Sequence, residues 1–140
     1  MSKKNKAIVT RLFEEAWNKG NLDVVDECSS DALVYRNPFL PEEVKGVEGY
    51  KNLVAAVHAA YPDIHFQVDD LIAEGDKVVT RWTGTGTNLG EFRGVAPTGR
   101  KMRLTGISIV RFEGGKQAEV WVNQDDLGWM QQLGVVSFPK

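Results

Sequence analysis

Hydrophobic positions change their period near the middle of the chain, and that change divides it into two kinds of structure. Over residues 4–18, Ile8, Leu12, Phe13, Ala16 and Trp17 recur at helical spacing, with Lys, Arg and Glu between them. Gly20 predicts a stop, because glycine accepts the left-handed backbone that ends many helices. Asn21 predicts the cap of a second, short helix, with Leu22 and Val25 turned inward and Asp23 favourably placed near its N-terminus. Residues 32–36 form a short β-branched and aromatic stretch, closed by Asn37-Pro38 and Pro41. A third helical stripe, Tyr50, Leu53, Val54 and Val57, runs through residues 46–60. Pro62 ends it by disfavouring helical geometry in the residue before it.

From Ile64 onward the period is two. Ile64, Phe66 and Val68 alternate with His65, Gln67 and Asp69, and Leu71-Ile72 extend the strand. Gly75-Asp76 turns it into a strand over residues 77–87, rich in Val, Thr and Trp. Residues 88–100 hold several glycines and Pro97, and predict an irregular connection or a bulged edge. A long strand over 102–112, a Gly114-Gly115 hairpin and a last strand over 117–124 complete the pattern. Helices first and long hairpins afterwards predict one α+β domain over residues 1–140. Its expected shape is a cone-shaped α+β barrel, a strongly curved antiparallel sheet with N-terminal helices enclosing one pocket.

Composition narrows the partners. At 140 residues, 42% apolar and 26% charged, the chain can bury a core without covalent staples. A formal charge of −2 gives no electrostatic reason to expect nucleic acid or an anionic membrane. Lys3, Lys4 and Lys6 read as a solvated terminus. The single cysteine, Cys28, excludes an intrachain disulfide, and with only His58 and His65 no metal site is expected. No apolar run approaches the ~20 residues of a membrane span and no signal-peptide pattern precedes the first helix, so the expected location is the cytoplasm.

Several local motifs carry a family resemblance. They are Tyr35-Arg36-Asn37-Pro38, Tyr61-Pro62-Asp63, the run from Asp70 to Val79, Arg81-Trp82, Gly86-Thr87-Asn88-Leu89-Gly90-Glu91-Phe92, Pro97-Thr98-Gly99 and Gly115-Lys116. The most specific is Trp121 through Gly134, ending in Gln131-Gln132-Leu133-Gly134. In order and spacing these resemble the SnoaL-like polyketide and ester cyclases, within the superfamily of nuclear transport factor 2 and ketosteroid isomerase. The resemblance implies ring closure by intramolecular aldol condensation, with an acid/base Asp in the last strand, no metal or cofactor, and a homodimer. A gapless match from Lys116 to Gly134 puts Val122 at that Asp position, where valine cannot transfer a proton. A second polar position falls on Ser108, and Asn88 replaces the His often found in the Gly-Thr-His motif.

The remaining candidates follow from chemistry and strand parity. Asp125 is the nearest carboxylate to the lost position. It reads either as a general base at the pocket rim or as the N-cap of the closing helix, a role its position makes ready. Strand alternation places Ser108, Val120, Val122 and Gln124 on one face, with Trp121 and Asn123 on the other. Asn37, Asn88, Ser108 and Gln124 are expected to orient a ligand, and Trp82 and Phe92 suit an aromatic wall or ordinary core. Arg81 and Arg111 suit cross-strand ion pairs. The expected ligand is a small hydrophobic or polycyclic carbonyl-containing molecule. Two readings stand: cofactor-independent cyclase or isomerase chemistry, and noncatalytic binding by a protein that lost its carboxylate.

Overall fold

The computed structural model describes residues 2–137. Its helices are α1 (Ser2–Arg11), α2 (Asp23–Cys28), α3 (Gly46–Ala60) and α4 (Asp126–Gln132). Its strands are β1 (Ser29–Arg36), β2 (Val44–Lys45), β3 (His65–Glu74), β4 (Lys77–Thr87), β5 (Lys101–Glu113) and β6 (Lys116–Gln124). The strands form one curved, unclosed sheet in the order β2-β1-β6-β5-β4-β3. α3 lies against β1, while α1 and the segment after it lie against β3 and β4, so the helices cover one face.

The first helical pattern is longer than α1 because its last turns widen into a π-helix over Leu12–Trp17. Asn18 donates to the Phe13 carbonyl five residues back, at 2.9 Å, which keeps Leu12, Ala16 and Trp17 buried. Gly20 then adopts φ of +73° and ends the run, as its position predicts. The Asn21 carboxamide accepts from the Asp23 backbone N–H at 3.3 Å, although the residue at the helix boundary itself is Leu22.

Two features of the sheet differ from simple hairpin expectations. β1 starts at Ser29, directly after α2, and pairs with β6 in parallel; the rest of the chain is the crossover. In β3 a bulge between Val68 and Asp70 exchanges the two faces. Leu71 and Ala73 therefore join the core while Ile72 is 61% exposed. In β5 the even residues are buried and the odd ones exposed up to Val110; a second register shift follows where Arg111 and Phe112 pair with Glu119 and Gln117, and there Gln117 and Ala118 are both buried.

Glycines admit aromatic rings to the inner face. A β-carbon at Gly84 would lie 2.8 Å from the Phe66 ring, and one at Gly106 only 2.3 Å from the Trp82 indole. Both rings therefore lie flat across a neighbouring strand. The outer face is polar with one apolar row, in which Ile72, Val79, Ile109 and Trp121 are successive cross-strand partners. Arg81 pairs there with Asp70 at 2.7 Å, and Glu119 receives both Arg36 and Arg111 at 2.7 Å. Among the described residues no helix is long and apolar enough to cross a membrane.

Candidate functional site

Between the helices and the inner face of the sheet lies a cavity with about 100 Å³ of room for the centres of water-sized spheres. One water needs only roughly 10–15 Å³ by that measure, so the space suits a small organic molecule. Val122 lines it directly opposite Ser108 on β5. None of the described residues lining the cavity is charged. Its wall is hydrocarbon and aromatic, interrupted by a few hydroxyls and amides.

Six of the sequence candidates meet in this wall: Asn37, Trp82, Phe92, Ser108, Val122 and Gln124. Trp82 donates its indole N–H to Ser108 Oγ at 2.9 Å, which fixes both side chains. Asn37 donates to Gln124 Oε1 at 3.2 Å and its own Oδ1 accepts from the Phe39 backbone N–H. Phe39, Phe92 and Trp129 form a cluster that joins two loops to α4; Phe39 and Trp129 have ring centroids 4.7 Å apart.

Asn88 lies elsewhere. It is fully buried, and its Oδ1 accepts from both the backbone and the hydroxyl of Thr98, at 2.8 and 2.9 Å. Its Nδ2 donates to the Gly90 carbonyl at 3.0 Å. These bonds fold the 88–100 segment onto itself. The same segment is pinned to the end of α3, because Leu89 and Gly90 both donate to the Ala60 carbonyl. Gly90 must be glycine for this approach, since a β-carbon there would sit 2.5 Å from the Ala59 carbonyl oxygen.

Asp125 is exposed and outside the cavity wall. It stands at the N-cap of α4, with Oδ1 accepting from the Gly128 N–H at 2.9 Å. Its neighbour Asp126 turns the other way. Gln124 Nε2 donates to Asp126 Oδ1 at 2.8 Å, so Asp126 is tied to a wall residue that in turn holds Asn37. It is the one side-chain carboxylate among the described residues hydrogen-bonded to the wall. Burial raises the Asp126 pKa above the usual range; the Gln124 amide opposes this and the Asp125 charge adds to it. Sequence reasoning singled out its neighbour Asp125. The adjacent pair Asp125-Asp126 was the available signal.

The sequence also left three hydroxyls unassigned. Tyr35, Tyr50 and Tyr61 line the cavity, each less than a tenth exposed. Tyr50 Oη accepts from Trp17 Nε1 and Tyr61 Oη from Trp129 Nε1, both at 2.9 Å. Burial pushes the Tyr35 phenol up to about 12 and raises Tyr50 further, so both stay protonated at neutral pH. His58 is a brace, its Nε2 lying 2.6 Å from the Trp17 carbonyl oxygen, and His65 is exposed. No group of His, Cys, Asp and Glu among the described residues is arranged to hold a metal ion.

An unclosed curved sheet backed by helices around an uncharged cavity is a pocketed α+β fold. Residues 7–133 match the SnoaL-like polyketide cyclase family model, and the chain belongs to that family. Solved structures agree. A protein from Jannaschia sp. CCS1 described as a SnoaL-like polyketide cyclase is 26% identical, with a TM-score of 0.87 over 96% of this chain and 94% of that one. TsrD from Streptomyces laurentii is 33% identical, with a TM-score of 0.81 over 93% and 97% of the two chains. A protein of ketosteroid isomerase-like fold from Catenulispora acidiphila DSM 44928, in complex with trimethylamine, shares the fold at 16% identity, with a TM-score of 0.79 over 94% and 97%. Among curated proteins, none matches the sequence.

Proposed function

We propose that this protein binds a small, neutral, ring-bearing carbonyl compound in its cavity and catalyses proton transfer next to that carbonyl, as a cyclase or isomerase. The observation that carries this reading is an apolar, uncharged wall meeting a half-buried carboxylate through Gln124. Asp126 is the proton acceptor in this reading, and Asp125 serves α4 as its cap. A proton leaves the carbon next to the carbonyl for the carboxylate, and the electron pair moves onto the carbonyl oxygen. The resulting enolate carbon attacks a second carbonyl in the same molecule, whose oxygen takes the electron pair and then the proton held by the carboxylic acid, or the enolate regains that proton at another carbon. A carboxylate raised by burial is better matched to this task than an ordinary exposed one. The description of the Jannaschia relative as a polyketide cyclase supports the substrate class.

Val122 favours a second reading, in which the ligand is held without turnover. Valine fills the part of the wall facing Ser108, and no titratable carboxylate or imidazole reaches the described wall. One experiment separates the two. Aromatic ketones with exchangeable α-hydrogens are incubated with the protein in D₂O, with binding followed by calorimetry and exchange by NMR. Binding with catalysed exchange supports the enzyme; binding without exchange supports the holding protein; absence of binding overturns both.

The functional unit is proposed to be a homodimer formed through the outer face of the sheet. Ile72, Val79, Ile109 and Trp121 make a continuous apolar row across four strands there, with Ile107 49% exposed beside it. Burying such a row against a second copy removes apolar surface from water, the main driving force for association.

A further inference from the structure

Four hydroxyls line the cavity: Tyr35, Tyr50, Tyr61 and Ser108. Three of them receive an indole N–H, from Trp17, Trp129 and Trp82 in the pairs Trp17–Tyr50, Trp129–Tyr61 and Trp82–Ser108, each at 2.9 Å. An indole nitrogen can only donate, so in each pair the oxygen is the acceptor and its own hydrogen must point elsewhere. Tyr35 Oη lies 3.5 Å from Asn37 Nδ2, again an acceptor facing a donor. None of the four hydroxyls donates to an acceptor among the described residues. Of the three wall amides, Asn37 Oδ1 is engaged by the Phe39 N–H and Gln124 Oε1 by Asn37, while the Gln117 carboxamide, which donates to Ser29 Oγ, also meets the Tyr50 hydroxyl as a donor. The wall therefore has hydrogen atoms to give, and these are held by groups buried at 2–7% exposure.

We propose that Tyr35, Tyr50, Tyr61 and Ser108 form a donor set that selects ligands by their acceptor oxygens, with Trp17, Trp82 and Trp129 as positioning residues that aim three of these hydrogens inward. The proposal rests on the binding reading above and assigns its specificity. The ligand class is a neutral ring system bearing carbonyl or quinone oxygens. A hydrocarbon of the same shape leaves buried donors unpaired, which is the costly arrangement. A carboxylate of the same shape enters a wall with no described cation, and an uncompensated buried charge costs more still. The protonated state of the phenols at neutral pH agrees with their use as donors.

The test uses three matched probes: 1-tetralone, tetralin and tetralin-1-carboxylate. Calorimetry is expected to show the ketone binding at least tenfold more tightly than either of the others. The carbonyl stretch of bound, carbon-13-labelled tetralone is expected to shift to lower frequency, as hydrogen bonding to a carbonyl oxygen requires. Tyr50→Phe, Tyr61→Phe and Ser108→Ala are each expected to shrink both the ratio and the shift, because the ketone loses a donor and tetralin no longer leaves that donor unpaired. Tyr35→Phe breaks no indole bond, so it keeps the test open where another variant folds poorly. Trp17→Phe, which removes an aiming group but no wall hydroxyl, is expected to reduce the shift as well. Equal binding of ketone and hydrocarbon, or an unshifted carbonyl, overturns the donor set and leaves the binding reading standing. If neither neutral probe binds, the binding reading fails and the donor set fails with it.

Discussion

The indole of Trp82 fills the space that a side chain at Gly106 would need. A β-carbon there would fall 2.3 Å from the ring, and the same indole holds Ser108 Oγ at 2.9 Å. The absence of a side chain on β5 thus places an aromatic wall and a polar group at once. Gly106→Ala is expected to displace the ring and break that bond, at a cost typical of overpacking, about 1–3 kcal/mol. Urea denaturation measures the loss, and a change in tryptophan emission at low urea would report the displaced indole. Wild-type stability with unchanged emission would contradict the geometry.

Asp125 and Asp126 are adjacent and are expected to respond in opposite ways. Asp125→Ala removes the α4 cap, at about 1 kcal/mol, and leaves ketone exchange intact. Asp126→Asn is expected to abolish exchange while ligand affinity changes less than about threefold, under 0.7 kcal/mol. Thermal unfolding and NMR exchange measured on both variants check the assignment. Exchange lost in Asp125→Ala and retained in Asp126→Asn would reverse the two roles.

Stability should fall at both ends of the pH scale, through different groups. The Asp63 carboxyl is held below its ordinary value by the Thr87 hydroxyl and N–H, and the Glu119 carboxyl by Arg111 and Arg36. For a depressed carboxyl, the stabilisation is complete above the unfolded pKa of about 4 and is lost as pH falls through the folded value. Asp126 has the opposite sign: its raised pKa makes the ionised form unfavourable when folded, and acidification relieves that. Asp63→Asn is therefore expected to lower stability at neutral pH and to flatten the decline below about pH 4. A urea midpoint measured against pH, with unchanged acid slope in the variant, would remove Asp63 from this account.

At the alkaline end the buried phenols dominate. Tyr35 reaches about 12 when folded, against about 10 unfolded, so the unfolded chain releases its proton first. Stability should decline as pH rises above about 10, and Tyr35→Phe should lessen the decline. Absorbance titration of the phenolates, folded and in urea, measures the separation directly.

The outer apolar row predicts an assembly. Ile109→Asp, at the centre of the row, is expected to convert a dimer into a monomer in sedimentation velocity without disturbing the core, because residue 109 faces outward at 36% exposure. A monomeric wild type at micromolar concentration would overturn the dimer.

Much of this fold could be read from the chain because it rests on local periodicity. α3 begins at Gly46 and ends at Ala60, the span its apolar stripe and Pro62 predict, and β4 covers residues 77–87 as its composition does. The parity that turns Val122 inward and Trp121 outward also follows from alternation, since nothing interrupts β6 between Val120 and Gln124. Asp125 as a cap was legible for the same reason: a cap is a contact across three residues. Periodicity does not show an extra residue inside a strand, so the exposure of Ile72 depended on a bulge that the pairing with β4 reveals.

What only the tertiary structure decided are contacts between distant residues. Trp17 meets Tyr50 across 33 positions and Trp129 meets Tyr61 across 68, so no motif could expose those hydroxyls as a donor set. Asn88 looked like a site residue by its place in a motif, yet its carboxamide is used within its own loop, where Thr98 folds back to it. One step of backbone rotation at the start of α4 separates the exposed Asp125 from the half-buried Asp126. By itself the sequence determined the elements and their faces, because those depend on neighbours along the chain; that Val122 stands at the cyclases' Asp position is what the family resemblance implies. Which polar groups meet around the cavity depends on how the curved sheet closes against its helices, and that is a property of the folded chain alone.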